Sequence, residues 1–422
     1  KPAIRFKGFT DAWEQRKFDE VFDCTVPNNT LSRAELSYDE GTVLNVHYGD
    51  VLIKYGSVLD VQKDDIPRIP HRCREDFNGA LLQDGDVIIA DTAEDETTGK
   101  ACEISNSQGS AIVSGLHTMV CRPRHRMALG YLGYYLNSNA YHHQLLPLMQ
   151  GIKVLSLSRS NIQKTSVSYP IEVKEQKFIA NYFSQLDNLI TLHQRKYDKL
   201  TKVKKAMLEK MFPENGSPYP EIRFKGFTDA WEQRKLSDMV ERVTRKNENR
   251  ESELPLTISA QYGLIDQNEF FDKRIASRDV SGYYLLKKGE FAYNKSTSSD
   301  APWGAVKRLD RYEMGVLSTL YIVFALKENG NIDSDFLVSY YDTDCWHKGV
   351  QAIAAEGARN HGLLNITPAD YFETVLTVPS DVKEQHQIGS FFAKLDTLIT
   401  LHQRKLEKLK NIKKACLEKM FV

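Results

Sequence analysis

The chain has 422 residues, with 56 Lys and Arg against 56 Asp and Glu, so its formal net charge is zero. This length predicts two or more domains. The first residues lack a signal-peptide pattern, and no apolar run approaches the roughly 18 residues of a membrane span. Six cysteines are scattered without a Cys-x-x-Cys pair, which favours reduced thiols, predicts a cytoplasmic location and argues against a zinc site.

A short segment opens the chain and returns in its middle. Residues 4–17 read Ile-Arg-Phe-Lys-Gly-Phe-Thr-Asp-Ala-Trp-Glu-Gln-Arg-Lys, and the same fourteen residues occupy 222–235. The second copy follows a turn-rich linker at 213–220. The chain is therefore an internal duplication. Because one copy follows the first long helix described below, we expect the other to dock near the end of the second.

Each copy of the segment precedes a region with the pattern of a mixed α/β domain, at roughly 18–172 and 236–381. Residues 82–90 and 112–120 of the first region align with 286–294 and 316–324 of the second, and both pairs are typical of short strands. A helix is predicted near 128–146 and near 333–349. The predicted fold class is therefore α/β (α+β), with the same scaffold twice.

A long helical stretch follows each domain, at 173–212 and 382–421. Both stretches open with Val-Lys-Glu-Gln, lack proline and agree at roughly two thirds of their positions. About 40 residues at 1.5 Å rise give a rod of roughly 60 Å. Asp381 and Glu384 have the spacing of a capping box at the second stretch.

Apolar residues recur along both stretches at alternating steps of four and three, which is typical of a left-handed coiled coil. The two stretches are expected to pair with each other, and a two-fold relation between the halves makes that pairing antiparallel. His193 and His402 lie on the seam, where polar residues can fix the register. The seam positions are Ile179, Phe183, Leu186, Ile190, His193, Tyr197, Leu200, Met207 and Met211, and then Ile388, Phe392, Leu395, Ile399, His402, Leu406, Leu409, Cys416 and Met420.

Charge is distributed unevenly between the helices and the rest of the chain. Each long stretch has nine Lys or Arg and four Asp or Glu, so the remainder of the chain is acidic. The excess is consistent with a solvated helix face or with a surface for an acidic partner, protein or DNA.

Two similar scaffolds with different surfaces suggest two recognition events. The domain–helix–domain–helix order, the Trp-Glu-Gln-Arg-Lys segments and the Pro-x-x-Val-Lys-Glu-Gln helix starts resemble the specificity subunits of type I restriction-modification systems. The resemblance covers the whole chain, although it is weak inside the two variable domains.

The resemblance implies that each domain reads one half of a bipartite DNA sequence, and that the antiparallel helices fix the unread spacer. It also implies two modification subunits that methylate adenine at N6 with S-adenosylmethionine. Restriction subunits that use ATP and Mg²⁺ would complete the complex. The alternatives are a coiled-coil scaffold without DNA specificity and the recognition arm of another restriction system.

Catalytic motifs are missing from the sequence. There is no Gly-x-Gly-x-x-Gly cofactor loop and no pair of adjacent prolines for a methyltransferase. No His-Glu-x-x-His or Cys cluster suggests a metal. We therefore expect a non-catalytic chain without a cofactor of its own.

DNA contacts are expected from basic and polar loops, because phosphates supply affinity and base edges supply specificity. Loops at equivalent places in the two halves are stronger candidates than single residues. The first-domain candidates are Lys54, Tyr55, Arg68, Arg72, Arg74, Thr92, Lys100, Lys153 and Arg159. The second-domain candidates are Arg245, Lys246, Lys273, Arg274, Lys295, Ser296, Thr297, Arg359 and Asn360. The predicted domain limits are 1–172, 173–212 for the first helix, 213–381, and 382–422 for the second.

Overall fold

The computed structural model describes residues 1–214, 216–259, 262–273, 275–299, 301–354 and 362–422. The chain forms two compact units, residues 1–194 with 404–422 (unit 1) and residues 195–403 (unit 2). Each unit contains one mixed α/β domain, the beginning of one long helix and the end of the other. The duplicated α/β organisation expected from the sequence is confirmed.

Unit 1 contains twelve strands within its described residues. They are β1 (Glu14–Lys17), β2 (Phe22–Asp23), β3 (Val43–Val46), β4 (Val58–Asp60), β5 (Arg68–Ile69), β6 (Val87–Ala90), β7 (Thr92–Ala93), β8 (Ala101–Ser105), β9 (Ala111–Ser114), β10 (Thr118–Pro123), β11 (Leu155–Ser156) and β12 (Ser166–Tyr169). The main sheet has the order β2-β10-β6-β8-β4, and β5-β3-β9 form a second sheet.

The helices of unit 1 surround these sheets. They are α1 (Phe18–Val21), α2 (Tyr48–Ile53), α3 (Tyr131–Leu136), α4 (Asn139–Leu145), α5 (Arg159–Ile162) and the start of the long helix α6 (Val173–Met211), with short 3₁₀ turns at Arg33–Glu35, Arg74–Phe77 and Leu146–Leu148. The single helix predicted near 128–146 is two helices. The break falls at Asn137, whose side chain donates to the carbonyl of Ala101 at 2.7 Å and accepts from its amide at 3.0 Å.

A buried carboxylate joins the main sheet of unit 1 to α3. Glu103 on β8 is 1% exposed, and its two oxygens accept from the amides of Gly130 and Gly133 at 2.7 and 2.8 Å. Burial raises the pKa of Glu103 to about 7, although these hydrogen bonds oppose the shift. Gly133 must be glycine, because a Cβ there would lie 2.0 Å from the carbonyl oxygen of Ser57.

Unit 2 repeats this plan with fewer strands within its described residues. They are β13 (Glu232–Lys235), β14 (Val240–Arg242), β15 (Leu256–Ser259), β16 (Gly263–Asp266), β17 (Tyr284–Lys287), β18 (Phe291–Asn294), β19 (Ala305–Arg308), β20 (Met314–Leu317), β21 (Ile322–Leu326) and β22 (Val375–Val378). The main sheet is antiparallel with the order β14-β21-β18-β19, and β15-β16 and β17-β20 form separate pairs.

The helices of unit 2 follow the order of those in unit 1. They are α7 (Leu236–Met239), α8 (Gln267–Phe271), α9 (Ser334–Tyr341), α10 (His347–Ile353), α11 (Pro368–Phe372) and the start of the long helix α12 (Val382–Lys419). The helix predicted near 333–349 is again two helices. The strand predicted at 286–294 also divides, since it contains the end of β17 and all of β18, joined by a turn at Gly289 with φ +88°.

The repeated segment closes each domain onto its long helix. Its Glu-Gln-Arg-Lys portion forms β1 in unit 1, which pairs antiparallel with β12, the last strand before α6. In unit 2 the same residues form β13, which pairs antiparallel with β22, the last strand before α12. Each copy also reaches the end of a long helix: the Ile4 amide donates to the Lys419 carbonyl at 2.9 Å, and the Ile222 amide donates to the Lys210 carbonyl at 2.9 Å. The expected docking near the end of the second helix is confirmed.

A buried ion pair fixes the same segment to the first turn of each long helix. Arg5 donates two hydrogen bonds to Glu175 at 2.6 and 2.8 Å, and Arg223 donates two to Glu384 at 2.6 and 2.7 Å. The glutamate side chains are 2% and 1% exposed. The capping box predicted from Asp381 and Glu384 is half formed: Asp381 accepts from the Lys383 amide at 2.8 Å, but the Glu384 carboxylate is directed to the arginine.

The neighbouring glutamine ties each domain to its helix. Gln176 donates to the Pro170 carbonyl at 2.8 Å and accepts from the Ala128 amide at 2.8 Å. Gln385 likewise donates to the Pro379 carbonyl and accepts from the Asp333 amide, both at 2.8 Å. The Val-Lys-Glu-Gln sequence therefore supplies, at both helix starts, one contact to the repeated segment and two to the domain.

The two long helices pack antiparallel in each unit. In unit 1, Phe183 of α6 stacks on Phe421, with ring centroids 5.6 Å apart, and Asp187 pairs with Lys413 at 2.5 Å. In unit 2, Phe392 of α12 lies 6.0 Å from Phe212, and Asp396 pairs with Lys204 at 2.7 Å. The same residue types thus meet in both units, which defines the register.

Burial follows the predicted seam. The buried seam residues are Ile179, Phe183, Leu186, Met211, Ile388, Phe392, Leu395, Leu406 and Met420, and the half-buried ones are Ile190, His193, Tyr197, Leu200, Met207, Ile399, His402, Leu409 and Cys416. Since the seam is covered along the described length of both helices, the antiparallel coiled coil predicted from the heptads is confirmed.

Unit 2 adds a charge network that is not repeated in unit 1. The carboxylate of Asp342 accepts from Lys204 at 2.8 Å and from Lys307 at 2.7 Å. Burial alone would raise the pKa of Asp342, but the two lysines outweigh it and the pKa is lowered. The corresponding residue after α3 in unit 1 is Asn137, which binds backbone instead.

We predict that Glu175→Gln destabilises unit 1 by about 3 kcal/mol, because Arg5 would keep a buried charge without its counter-charge. Hydrogen exchange resolved by peptide should show the loss in unit 1 alone. The matched change Glu384→Gln should act on unit 2 alone. Equal loss of protection in both units from either change would contradict this role.

We predict that Asp342→Asn destabilises unit 2 by about 2 kcal/mol, since Lys307 would lose its ion pair while Lys204 would retain Asp396. The lowered folded-state pKa means that the contribution of Asp342 is present above its unfolded pKa of about 3.9 and is lost as the pH falls through the folded value. Urea unfolding between pH 3 and 7 should therefore show less acid sensitivity in the variant. An unchanged pH dependence would count against the network.

Candidate nucleic-acid interface

Two loops that are distant in sequence meet at one edge of the unit 1 domain. The loop after β6 contains β7, and the segment before α5 contains β11. These two strands pair antiparallel, with Ser156 opposite Thr92 and Leu155 opposite Ala93. The Leu157 amide also donates to the Asp91 carbonyl at 2.8 Å. Residues 91–100 and 150–159, here called the unit 1 loop pair, therefore form one surface that contains Thr92, Lys153 and Arg159.

A tight hairpin projects from this loop pair. Gln150 and Ser156 exchange two backbone hydrogen bonds, and Gly151 turns the chain with φ +128°. A Cβ on Gly151 would lie 1.8 Å from the carbonyl oxygen of Val154, so only glycine fits. The turn presents Lys153 and a fully exposed Ile152 to solvent.

An aromatic and polar group borders the same surface. His117 adopts φ +53°, and its ring lies 5.3 Å from that of Tyr48. The Nδ1 atom of His117 is 3.4 Å from Asp91 Oδ1 and 3.5 Å from Thr92 Oγ1. Sequence reasoning missed Tyr48 and His117, because neither lies in a basic run and only the fold brings them beside Thr92.

The first loop of the pair is acidic at its tip. Glu94, Asp95 and Glu96 are exposed. Asp95 accepts from the amide of Thr97 at 2.9 Å and from its hydroxyl at 2.5 Å, and these hydrogen bonds lower the pKa of Asp95. Carboxylates repel phosphates but accept hydrogen bonds from the cytosine amino group. This tip therefore suits a base edge better than a DNA backbone.

Three candidate residues of unit 1 are engaged by contacts within the domain, although Lys54 is also exposed. Lys100 donates to the Leu52 carbonyl at 2.8 Å, and burial lowers the pKa of Lys100. Lys54 pairs with Asp65 at 2.8 Å and lies over the Tyr38 ring. Tyr55 is 3% exposed and packs in the core, so it is removed from the exposed candidate surface.

A second basic surface of unit 1 follows β5. Arg68 donates to the Tyr38 carbonyl at 2.8 Å and is half-buried, so it supports the local structure. Arg72 and Arg74 are exposed in the loop that leads into the Arg74–Phe77 turn. They are available to a ligand, although they belong to a different sheet edge from the loop pair.

Unit 2 has an equivalent loop pair. The Thr297 amide donates to the Gly362 carbonyl at 2.7 Å, and the Leu364 amide donates to the Lys295 carbonyl at 3.0 Å. Ser296 forms a bridge with Leu363. Residues 295–299 and 362–364, here called the unit 2 loop pair, thus meet as 91–100 and 150–159 do. Lys295 donates to the Ile366 carbonyl, whereas Ser296 is exposed.

The remaining candidates of unit 2 divide into held and exposed residues. Arg245 pairs with Glu290 at 2.7 Å, and Lys246 lies 4.0 Å from the centre of the Tyr284 ring and donates to the Gly282 carbonyl. Lys273 is exposed after α8. Three further candidates lie outside the described residues, namely Arg274, Arg359 and Asn360.

Neither a metal cluster nor a membrane span is found in the described part of the chain. No group of three or more His, Cys, Asp or Glu side chains there could hold a metal ion. No described helix is long and apolar enough to cross a membrane.

About half of the chain is similar in sequence to a known protein family. Residues 10–202 match the family model of the type I restriction modification DNA specificity domain. A curated relative from Methanocaldococcus jannaschii, assigned by name to the specificity subunit of type I restriction enzyme MjaX, is 26% identical over 212 residues. That alignment covers 47% of this chain and 45% of the relative, so the chain spans about half of the relative's length.

A solved structure shows the same fold. The crystal structure of the type I restriction-modification S subunit from M. genitalium superposes with a TM-score of 0.63 at 11% sequence identity. The superposition covers 100% of this chain and 99% of the other. The resemblance to type I specificity subunits, first seen in the helix starts and repeated segments, is confirmed.

Proposed function

We propose that the chain reads an asymmetric, bipartite DNA target, with one domain for each half, because residues 10–202 match the family model of the type I restriction modification DNA specificity domain. The two long helices would supply the unread spacer between the halves. The chain itself would be non-catalytic and would direct a complex that methylates and cleaves DNA.

One observation carries this proposal: the same surface is built twice from different side chains. In both units the loop after the central strand is hydrogen-bonded to the segment that precedes the last strand. The unit 1 tip is acidic, with Glu94, Asp95 and Glu96, whereas the unit 2 loop carries Lys295, Ser296 and Thr297. A shared scaffold with unlike hydrogen-bonding groups suits two different base sequences.

The partner surfaces are expected on the helices, because residues 189–196 of α6 and 398–405 of α12 have the same sequence. Leu189 and Leu192 of α6 are 44% and 46% exposed, and the corresponding Leu398 and Leu401 of α12 are 42% and 43% exposed. Because the exposed leucines occur on both helices, the same partner could bind once on each helix. We therefore place two modification subunits on the helices, with S-adenosylmethionine on those subunits.

A basic stripe accompanies the exposed leucines in each helix. Arg195, Lys199 and Lys202 of α6 correspond to Arg404, Lys408 and Asn411 of α12. This stripe would suit an acidic protein surface. Restriction subunits with ATP and Mg²⁺ would join the complex through the modification subunits or beside them.

The proposal is tested by methylome sequencing of DNA modified by this chain with its modification subunit. We expect a split, asymmetric motif with one methyladenine in each half. Thr92→Ala should relax one half of the motif, and the paired change Ser296→Ala with Thr297→Ala should relax the other half. A continuous motif, or methylation that ignores both changes, would favour a scaffold without DNA specificity.

We predict that Lys153→Ala with Arg159→Ala reduces the salt dependence of DNA binding by the complex. Each lost phosphate contact lowers the slope of log K against log salt by about 0.9, so the double variant should lose about 1 to 2. Lys174→Ala with Lys177→Ala, two exposed residues at the start of α6, provides a control of equal charge. Identical slopes in the two variants would remove Lys153 and Arg159 from the interface.

A further inference from the structure

The two domains dock on their long helices through equivalent elements. In unit 1 the N-terminus of α3 lies on the first turns of α6, and in unit 2 the first turn of α9 lies on the first turns of α12. Gln176 and Gln385 make the same hydrogen bonds at these contacts. The helix residues that face the domains also correspond, with one exception.

The exception is a position one turn after the glutamine. It is Ala180 in α6 and Gly389 in α12. Ala180 is 4% exposed, and its methyl group lies 3.5 Å from the place where a Cβ on Gly130 would stand, which is ordinary contact. A Cβ on Gly389 would instead lie 2.4 Å from the Phe336 nitrogen and 2.6 Å from the Asp335 carbonyl carbon.

The first turn of α9 is fixed in place and cannot retreat from such a methyl group. The Phe336 amide donates to the capping carboxylate of Asp333 at 2.9 Å, and the Phe336 ring is fully buried. Arg308 on β19 ties this turn to the sheet, because it pairs with Asp335 at 2.8 Å and donates to the Ser334 hydroxyl at 2.7 Å. The atoms that would clash are two backbone atoms and the Asp335 Cβ at 2.7 Å, and none of these can move by a change of rotamer.

Helix stability gives no reason for the glycine. Alanine is favoured over glycine in a helix interior, so Gly389 by itself weakens α12 relative to its twin. The close approach of α9 therefore explains Gly389. At the corresponding position of α6, the methyl group of Ala180 contacts the unit 1 domain.

We infer that Gly389 determines which domain the start of a long helix can accept. The start of α12 accepts a domain of either kind, because an absent side chain cannot clash. The start of α6, with Ala180, accepts the unit 1 domain and rejects a domain that docks as α9 does. Domain exchange between the two halves is therefore possible in one direction only, unless residue 180 changes as well.

Two single substitutions test whether a methyl group at position 389 clashes with α9. Gly389→Ala should lower the urea midpoint of unit 2, measured by hydrogen exchange in peptides of α9 and α12. Ala180→Gly, the matched control, should change unit 1 less, because it removes a methyl group without moving backbone. A higher midpoint for Gly389→Ala, the result that helix propensity alone predicts, would overturn the inference.

Chains that carry the same domain twice test whether domain exchange is possible in one direction only. A chain that carries residues 236–381 in both halves should lose protection in the first half, and Ala180→Gly in that chain should restore it. A chain that carries residues 18–172 in both halves should fold with Gly389 unchanged. Equal stability of the first chain with and without the Ala180→Gly change would overturn the inference.

These measurements test domain docking separately from DNA recognition. Only the role of docking in the choice of DNA target rests on the proposed function. Hydrogen exchange reports docking whether or not the chain binds DNA. If the rescued chain folds but methylates no symmetric motif, the proposed recognition fails while the docking rule stands.

Discussion

The structure depends on the buried arginine–glutamate pair at the first turn of each long helix. Removing a carboxylate from water is costly, and a closely paired arginine in bidentate geometry offsets that cost. Glu175 and Glu384 meet this condition with bidentate arginine partners from the repeated segment. The adjacent glutamines then fix the domain to the same turn. Two consecutive residues, a glutamate and a glutamine, thus join the segment, the helix and the domain.

The antiparallel contact of the helices follows from a second repeated pair. Asp187 with Lys413, and Asp396 with Lys204, join the beginning of one helix to the end of the other in each unit. Phenylalanine rings meet beside both pairs. Because these contacts are the same in both units, the two ends of the helix pair are held in the same way. The differences are left to the domains, where Asp342 replaces Asn137 and the two loop pairs diverge.

The parts of the fold that arise from repeated residue spacing or from repeated sequence could be predicted from the sequence. The seam, the two long helices and the duplication all follow from spacing within one stretch. The breaks in the shorter elements could not, since the break after α3 arises when Asn137 binds β8, far away in the chain. Glu384 fails as a capping-box residue for the same reason: its spacing to Asp381 is right, but its partner Arg223 lies 161 residues away.

The candidate surface was predictable only in outline. The equivalence of the two loops in each half was visible, and the structure joins them by strand pairing. Individual residues were not predictable, because a basic side chain can be exposed, as Arg72 is, or held by a carboxylate, as Arg245 is. Tyr55 follows a basic residue in sequence yet lies in the core.

The glutamine of each helix start has a further consequence. Its side-chain amide has a nitrogen that donates and an oxygen that accepts; the nitrogen faces a proline carbonyl and the oxygen faces a backbone amide. An isosteric change to glutamate would set two electron-rich oxygens against each other in a buried place. Spontaneous loss of that amide during chemical ageing would therefore loosen the domain from its helix without altering the size of a single side chain.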